Sequence, residues 1–141
     1  MDIEIRRLGP GDDAAVLEMG FLFDDEADPE ATRRFLAEPT HHLLVAYDDG
    51  APVGFVSGVE TTHPDKGTEM FLYELSVDEP ARRQGIGSAL VEALAALARE
   101  RGCYGMWVGT ETHNEAARRT YARAGGREAP PHVVVDWSLQ G

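Results

Sequence analysis

Alternation of apolar and polar residues predicts a series of short strands in the first half of the chain. Ile3-Glu4-Ile5-Arg6 has the period of two that is typical of a half-buried strand. Asp48-Asp49-Gly50 is a hairpin turn signal between two runs of strand-forming residues. We interpret Thr61 to Gly67 as a polar connection to the next strand. The strands predicted around these turns cover residues 43–47, 52–59 and 70–77.

Helical spacing of apolar residues begins after residue 86. Apolar positions recur at i, i+3, i+4, i+7 and i+8 from Leu90 to Ala98, which predicts a helix from Gly87 to Arg101 ended by Gly102. Asp28-Pro29 is typical of a helix start, and that helix ends near Pro39. Two shorter helices are predicted at 12–19 and 114–124, and two more strands at 103–108 and 132–137. The order β, α, α, three β, α, β, α, β predicts an α/β (α+β) fold with a mixed sheet and helices packed on it.

Composition restricts the number of domains and the class of partner. The 141 residues, 43% of them hydrophobic, are predicted to form a single domain spanning 1–141. Acidic residues outnumber basic ones 25 to 13, which gives a formal net charge of -12. That surplus argues against electrostatic binding to nucleic acid or to an anionic membrane, because both need a basic surface. It favours cationic partners, although surplus charge also serves solubility alone.

Cysteine and histidine usage argues against two further classes of site. The chain has one cysteine, Cys103, so it can form neither an internal disulfide framework nor a cysteine-based zinc cluster. The five histidines show no H-x-x-x-H spacing, and no metal site is expected. Residues 1–7 lack the charged and apolar regions of a signal peptide, and no apolar run approaches the roughly 20 residues of a membrane span. We therefore expect a soluble, cytoplasmic protein.

A glycine-containing loop, Arg82-Arg83-Gln84-Gly85-Ile86-Gly87, lies between a predicted strand and a predicted helix. Glycines at such a turn let the backbone approach a ligand closely, and the helix N-terminus adds a partial positive charge. A pyrophosphate cradle is one interpretation, and a tight turn with solvated arginines is the other. A Walker A loop needs a lysine that is absent before Ser88, and a Rossmann fingerprint needs a third glycine where Leu90 stands.

This loop resembles the R/Q-x-x-G-x-G/A loop of the GCN5-related N-acetyltransferases (GNAT), because Arg82 and Gly85-Ile86-Gly87 match it. Asn114-Glu115-Ala116-Ala117 and Tyr121 resemble the last helix of that family, with Gly125-Gly126 in place of its usual Gly-Phe. The resemblance covers nearly the whole chain, and the order of elements agrees. It implies the GNAT fold, in which central strands splay apart and form a wedge for acetyl-CoA.

The resemblance also implies which residues hold acetyl-CoA. Its pyrophosphate would lie on the N–H groups from Arg83 to Gly87, with Arg82 and Arg83 near the phosphates. The pantetheine arm would pair with the backbone of strand 70–77. The implied cofactor-binding residues are Leu75, Ser76, Val77, Arg82, Arg83, Gln84, Gly85, Ile86, Gly87, Ser88, Asn114, Ala117 and Tyr121.

Two residues are candidates for proton transfer. Tyr121 takes the family position that protonates the departing thiolate, and a core tyrosine is the alternative. Glu74, at the centre of strand 70–77, is the candidate base that removes a proton from the amine, directly or through water. An anchoring or structural role for Glu74 stays open, and Asp136 is a second candidate base.

The strand around Glu74 and the loop at Arg82–Ile86 look most like those of the small aminoglycoside 3-N-acetyltransferases, with Glu74 where these have aspartate. That resemblance implies acetyl transfer to the 3-amino group of an aminoglycoside, which confers resistance. An aminoglycoside carries several ammonium groups, so its site needs ionised carboxylates. A solvated acidic loop is the alternative for residues 24–28. The candidate substrate-binding residues are Asp24, Asp25, Glu26, Glu74 and Asp136.

Two other functions stay open. The cofactor motifs say nothing about the acceptor, so a polyamine, a peptide N-terminus or a small metabolite amine is an alternative. A non-catalytic acyl-CoA-binding module on the same fold is the other, although the presence of Glu74, Asn114 and Tyr121 argues against it. A homodimer is a further expectation of the resemblance, because many relatives pair through C-terminal strands.

Overall fold

The structure, a computed structural model, describes residues 2–140 as a five-stranded sheet with helices on both faces. From one edge to the other the strands are β1 (Ile3–Leu8), β2 (His41–Asp48), β3 (Ala51–His63), β4 (Gly67–Val77) and β5 (Met106–Trp107). The helices are α1 (Asp13–Glu18), α2 (Pro29–Ala37), α3 (Ile86–Glu100) and α4 (Glu115–Arg123), with 3-10 turns at Gly20–Leu22 and Glu79–Ala81. Strands β1 to β4 are antiparallel to their neighbours, and β5 runs parallel to β4. The predicted mixed α/β fold is therefore confirmed.

Each face of the sheet carries its own apolar layer. Helix α3 covers one face, where Leu90 and Leu94 are fully buried with Val56 of β3. Helices α1 and α2 cover part of the other face, where Val16 and Leu36 belong to the same buried cluster as residues of β1, β2 and β3. Among residues 2–140, this second layer contains no buried residue of β4. One face of β4 is therefore left uncovered by α1 and α2.

The predicted helix ends and hairpin turn are confirmed. The Asp28 side chain accepts hydrogen bonds from two N–H groups in the first turn of α2, at 3.0 and 3.3 Å. Gly102 (φ 79°) follows α3 in the left-handed conformation of a C′ residue. Asp49 and Gly50 both have positive φ, as a type I′ turn requires. Within the described range, no helix is long and apolar enough to cross a membrane.

Strand β4 carries one extra residue opposite β3. Ser57 pairs with Glu74, but the next residue of β3, Gly58, pairs with Leu72. Tyr73 is therefore left without a partner, which makes it the site of a β-bulge.

The bulge reverses the alternation of side chains along β4. Leu72 before the bulge and Leu75 after it both pack in the layer beneath α3. Phe71 and Glu74, although three residues apart, lie opposite Val59 and Ser57 on the other face. The uncovered face of β4 therefore carries both an aromatic ring and a carboxylate.

Strand β5 pairs with β4 only at Met70–Met106 and Phe71–Trp107. The strand predicted at 103–108 is thus reduced to two residues, Met106 and Trp107. Among the described residues, none forms a strand beside the edge of β4 from Leu72 onwards, because β5 does not continue along it.

A buried polar network joins the sheet to the C-terminal end of α3. His42 is fully buried, with Nδ1 2.8 Å from Arg7 Nη2 and Nε2 2.6 Å from Glu60 Oε2. An arginine can only donate, so Nδ1 accepts and Nε2–H donates to Glu60. Arg101 donates to the same Glu60 oxygen at 2.7 Å. Burial, assisted by the charge of Arg7, lowers the pKa of His42 and keeps the ring neutral.

Two sequence predictions are wrong. Residues 127–140 form neither helix nor strand, so the strand predicted at 132–137 is absent. Its Val133 and Val134 are 87% and 91% exposed, because strand propensity alone supplies no hydrogen-bonded neighbour. The polar connection predicted at 61–67 is shorter, since β3 runs to His63 and β4 begins at Gly67.

Candidate active site

The loop between β4 and α3 presents a row of free backbone donors. Gly85 (φ 80°) is the N-cap of α3 without a side-chain cap, and Arg83 (φ 65°) is also left-handed. Within residues 2–140, the backbone N–H groups from Arg83 to Ser88 donate to no other residue. The helix N-terminus adds a partial positive charge, so these donors form a site suited to an anion.

Other members of the predicted cofactor loop make contacts within the protein. Arg82 Nε donates to the Val77 carbonyl at 2.9 Å, which fastens the loop to the end of β4. A Cβ on Gly87 would lie 3.2 Å from Thr120 Cγ2, so Gly87 permits the close approach of α3 and α4. Ser88 Oγ donates to the Thr120 carbonyl at 3.4 Å. These contacts give Arg82, Gly87 and Ser88 a part in positioning the loop.

The edge of β4 that leads into this loop is open. In the part of the chain that the structure describes, Leu75, Ser76 and Val77 have no strand beside them on the side away from β3. Unpaired N–H and C=O groups on a strand edge can bind an extended chain that carries amides. The backbone predicted to pair with the pantetheine arm therefore lies at a free edge.

Helix α4 carries the remaining residues of the predicted cofactor site. Asn114 is its N-cap, and its Oδ1 accepts a hydrogen bond from the Ala117 N–H at 3.1 Å. Tyr121 lies two turns further along, partly buried against the layer beneath α3. Burial raises the pKa of Tyr121, so its phenol stays protonated at neutral pH.

The Gly125-Gly126 pair ends α4 in a Schellman motif. The Gly126 N–H donates to the Tyr121 carbonyl at 2.9 Å, and the Gly125 N–H donates to Ala122 at 3.0 Å. A Cβ on Gly126 would lie 3.0 Å from the same Tyr121 oxygen. Gly126, which stands where the family usually has phenylalanine, thus fits a tight helix end against the Tyr121 carbonyl.

Glu74 lies on the uncovered face of β4, directly after the bulge. Its backbone N–H donates to Ser57 Oγ at 3.2 Å. Burial raises the pKa of the Glu74 carboxyl, and the charges of Asp24 and Asp25 raise it further. A raised pKa suits a carboxylate that takes a proton near neutral pH.

The acidic loop between α1 and α2 is anchored beside this face. The Phe23 ring packs edge-to-face on Phe55 with 5.0 Å between the centroids, and Asp24 and Asp25 follow it directly. Both aspartates are exposed, and so is Glu26. Two of the three predicted loop acids, Asp24 and Asp25, therefore raise the pKa of Glu74 through their charges.

Asp136 is placed differently from the other predicted acids. It lies exposed in the irregular segment 127–140, and its charge is not among those that act on Glu74. Within the described residues, Asp136 is therefore not part of the site around Glu74.

The sequence analysis missed an aromatic group on the same face. Phe71 and Trp107 have ring centroids 4.3 Å apart, and Phe71 and Tyr73 have centroids 5.8 Å apart. Tyr73 is 65% exposed and Trp107 is 52% exposed. The aromatic residues at 71 and 73 were visible in the sequence. The approach of Trp107 depends on the pairing of β5 with β4, which the sequence does not reveal.

The family is decided by comparison with known proteins. The model of the acetyltransferase (GNAT) family matches residues 13–126. The chain belongs to the GNAT family. Acetyl-CoA is therefore its cofactor, and the free donors of the β4–α3 loop fit the pyrophosphate of that group.

Individual relatives of this GNAT chain differ in what they acetylate. Mycothiol acetyltransferase of Nocardia farcinica (strain IFM 10152) is 33% identical over 140 residues, which are 99% of this chain and 38% of that protein. Aminoglycoside N(6')-acetyltransferase type 1 of Klebsiella aerogenes is 33% identical over 96 residues, 66% of this chain and 63% of that protein. The chain thus spans less than two thirds of the length of either relative.

The fold is shared with a solved aminoglycoside acetyltransferase, meta-AAC0020, from an uncultured soil metagenomic sample. That crystal structure, in complex with sisomicin, superposes with a TM-score of 0.90 at 20% identity. The match covers 98% of this chain and 97% of the other. At this level of identity the likeness establishes the fold.

Gly85→Ala tests whether the loop holds the cofactor, with Gly67→Ala as its matched control. Both glycines have positive φ, and a Cβ on either meets no atom within 4 Å. We expect each alanine to lower the free energy of unfolding by about 1–2 kcal/mol of left-handed strain. Only Gly85→Ala should also weaken CoA binding, by about tenfold, because its methyl occupies the approach to the N–H groups. Calorimetric titration with CoA measures this, and equal affinities in the two variants would contradict the cradle.

Asp24→Asn and Asp25→Asn test the electrostatics around Glu74. Removing either negative charge should lower the pKa of Glu74 towards its ordinary value, because both charges now raise it. Carbon-13 NMR titration of labelled glutamate carboxyls measures the change, with the Glu74 signal assigned by its loss in Glu74→Gln. Glu26→Gln is the control and should leave the Glu74 titration in place. A midpoint that does not move in either aspartate variant refutes the assigned loop position.

Proposed function

We propose that this chain is an acetyl-CoA-dependent N-acetyltransferase whose acceptor is an aminoglycoside, and that it confers resistance by this reaction. The observation that carries the proposal is Glu74, which lies on an open face of β4 within the influence of Asp24 and Asp25. Three carboxylates whose charges act on the same region attract an acceptor with several ammonium groups. Support also comes from the fold shared with an aminoglycoside acetyltransferase and from the identity with an aminoglycoside N(6')-acetyltransferase.

In the proposed mechanism, bound acetyl-CoA supplies an acetyl thioester. Glu74 takes a proton from the acceptor ammonium, directly or through one water, so that the nitrogen lone pair is free to attack the carbonyl carbon of the thioester. Tyr121 gives its phenolic proton to the departing thiolate, for which the raised pKa keeps it protonated. The N–H groups from Arg83 to Ser88 hold the pyrophosphate, and the backbone from Leu75 to Val77 orients the pantetheine arm. Asn114 and Ala117 complete the proposed cofactor site at the start of α4.

The most specific part of the proposal is which amine of the aminoglycoside is acetylated. The strand around Glu74 resembles that of the 3-N-acetyltransferases, so we propose the 3-amino group. The relative from Klebsiella aerogenes acts at the 6'-amino group by its name, which makes that amine the competing position. Sisomicin offers both amines, so the product itself distinguishes them.

A small metabolite amine is the second candidate acceptor. It is favoured by the 33% identity over 140 residues with a mycothiol acetyltransferase, although this chain matches only 38% of that protein. A polyamine or a peptide N-terminus would use the same cofactor loop and the same base.

Release of CoA from acetyl-CoA across a panel of amines tests the function. We expect turnover with sisomicin, gentamicin and kanamycin, little turnover with spermidine or peptides, and a product acetylated at the 3-amino group by NMR. Glu74→Gln should lower kcat about a hundredfold or more, because the general base is lost. Glu92→Gln, exposed on α3, is the control and should keep full activity. Turnover confined to the other amines would refute the aminoglycoside assignment.

We also propose a homodimer in which residues 132–137 of each copy form the strand that is absent from the single chain. Val133, Val134, Val135 and Trp137 are 65–91% exposed, so residues 2–140 leave a large apolar surface uncovered. β5 lies at the edge of the sheet and has its outer side free to accept a strand. Pairing there would carry Asp136 of one copy to the sheet of the other.

Val134→Glu tests the homodimer, with Gln140→Glu as a control that adds the same charge outside the segment. We expect analytical ultracentrifugation to show a dimer for the parent chain and for Gln140→Glu. Val134→Glu should shift the protein to monomer, because burial of a charge in the strand interface has a large unfavourable free energy. A monomeric parent chain at micromolar concentration would contradict the proposal.

A further inference from the structure

The uncovered face of β4 carries a strip of side chains with an acid at each end and aromatic rings between them. Glu74 stands at one end and Glu69 at the other, on the same face because the bulge at Tyr73 reverses the alternation between them. Their partners on β3, Ser57 and Thr61, are four residues apart, so at roughly 3.3 Å per residue the two positions are about 13 Å apart along the strand. Phe71, Tyr73 and Trp107 lie between them. We call these five residues the β4 strip.

Packing in the core does not account for the aromatic rings of the β4 strip. Neither apolar layer of the sheet includes Tyr73 or Trp107, and more than half of each side chain is exposed. Phe71 stacks on Trp107 with an angle of 32° between the rings, so the two form one continuous apolar surface. A rigid aromatic surface next to a candidate catalytic carboxylate is suited to contact a flat apolar ring face or a cation.

The acid at the far end of the β4 strip is held in place and ionised. Tyr104 donates its hydroxyl proton to Glu69 Oε2 at 2.8 Å, and His63 lies 3.2 Å from Oε1. These two hydrogen bonds lower the pKa of Glu69. A carboxylate fixed by a tyrosine and a histidine presents a negative charge at a defined place.

We propose that the β4 strip binds the acceptor as a chain of linked rings with an ammonium group towards each end. The reacting amine lies at Glu74, a ring face covers Trp107 and Tyr73, and a second ammonium lies near Glu69. The inference rests on the proposed transfer to an aminoglycoside and assigns the surface that selects it: the β4 strip requires a cyclic polycation long enough to reach both carboxylates. A peptide N-terminus brings one ammonium, and a linear polyamine brings no ring face.

Acceptor kinetics of two Trp107 variants test the ring contact. Trp107→Ala should raise the KM for sisomicin about tenfold, while kcat and the KM for acetyl-CoA stay within about twofold. Trp107→Phe keeps a flat ring and should retain most of the affinity. The KM for spermidine should be the same in both variants, because a flexible chain does not need the ring. Equal losses for sisomicin and spermidine, or no loss for either, would overturn the inference.

Glu69→Gln tests the second ammonium site. The amide can still bond to Tyr104 and His63, so the fold of this end of β4 is kept. We expect a KM for sisomicin raised about tenfold and an unchanged KM for a single-ring monoamine such as glucosamine. An equal change for both amines would show that Glu69 acts only through the structure.

A binding measurement separates this inference from the proposed function. Trp137→Phe leaves Trp107 as the sole tryptophan, so its fluorescence reports on the β4 strip. Sisomicin should quench that fluorescence in the absence of acetyl-CoA, and spermidine should not. Quenching without turnover would uphold the strip and refute the acetyl transfer. Turnover of sisomicin without quenching would uphold the enzyme and refute the strip.

Discussion

The arrangement of this protein depends on the unequal pairing of β4. On one side it pairs with β3 along almost its whole length, from Gly67 to Val77. On the other side it pairs with β5 at Met70 and Phe71 alone. The unpaired edge is followed, after one 3-10 turn, by the loop that begins α3, so two sets of unpaired backbone groups follow one another along the chain. Backbone groups of these two kinds are suited to an extended, amide-bearing and anionic molecule.

Charge is divided between the two ends of this region. The anion-binding donors of the β4–α3 loop and the dipole of α3 lie beyond the end of β4, whereas Glu74 lies on the open face of β4 and the charges of the loop acids Asp24 and Asp25 act on it. Anionic and cationic groups of bound molecules are thereby attracted to different places. The formal net charge of -12 hides this division, because it is a sum over the whole chain.

The bulge at Tyr73 has the largest local effect on chemistry. Without it, strict alternation would place Glu74 on the face covered by α3, where Leu72 and Leu75 are packed. With it, the carboxylate lies on the uncovered face of β4, in line with Phe71. On that face Glu74 is partly buried, and this burial raises its pKa.

The sequence by itself determined the strongly periodic elements and their ends: the helix beginning near Gly87, the cap at Asp28, the turn at Asp49-Gly50 and the cofactor loop. These features depend on local spacing and backbone preference, which a sequence states directly. The tertiary structure alone decided the bulge at Tyr73, the shortness of β5, the approach of Trp107 to Phe71 and the irregular state of residues 132–137. Each of these depends on which strand lies beside which, because a strand is stabilised by hydrogen bonds to a neighbour that its own residues do not specify.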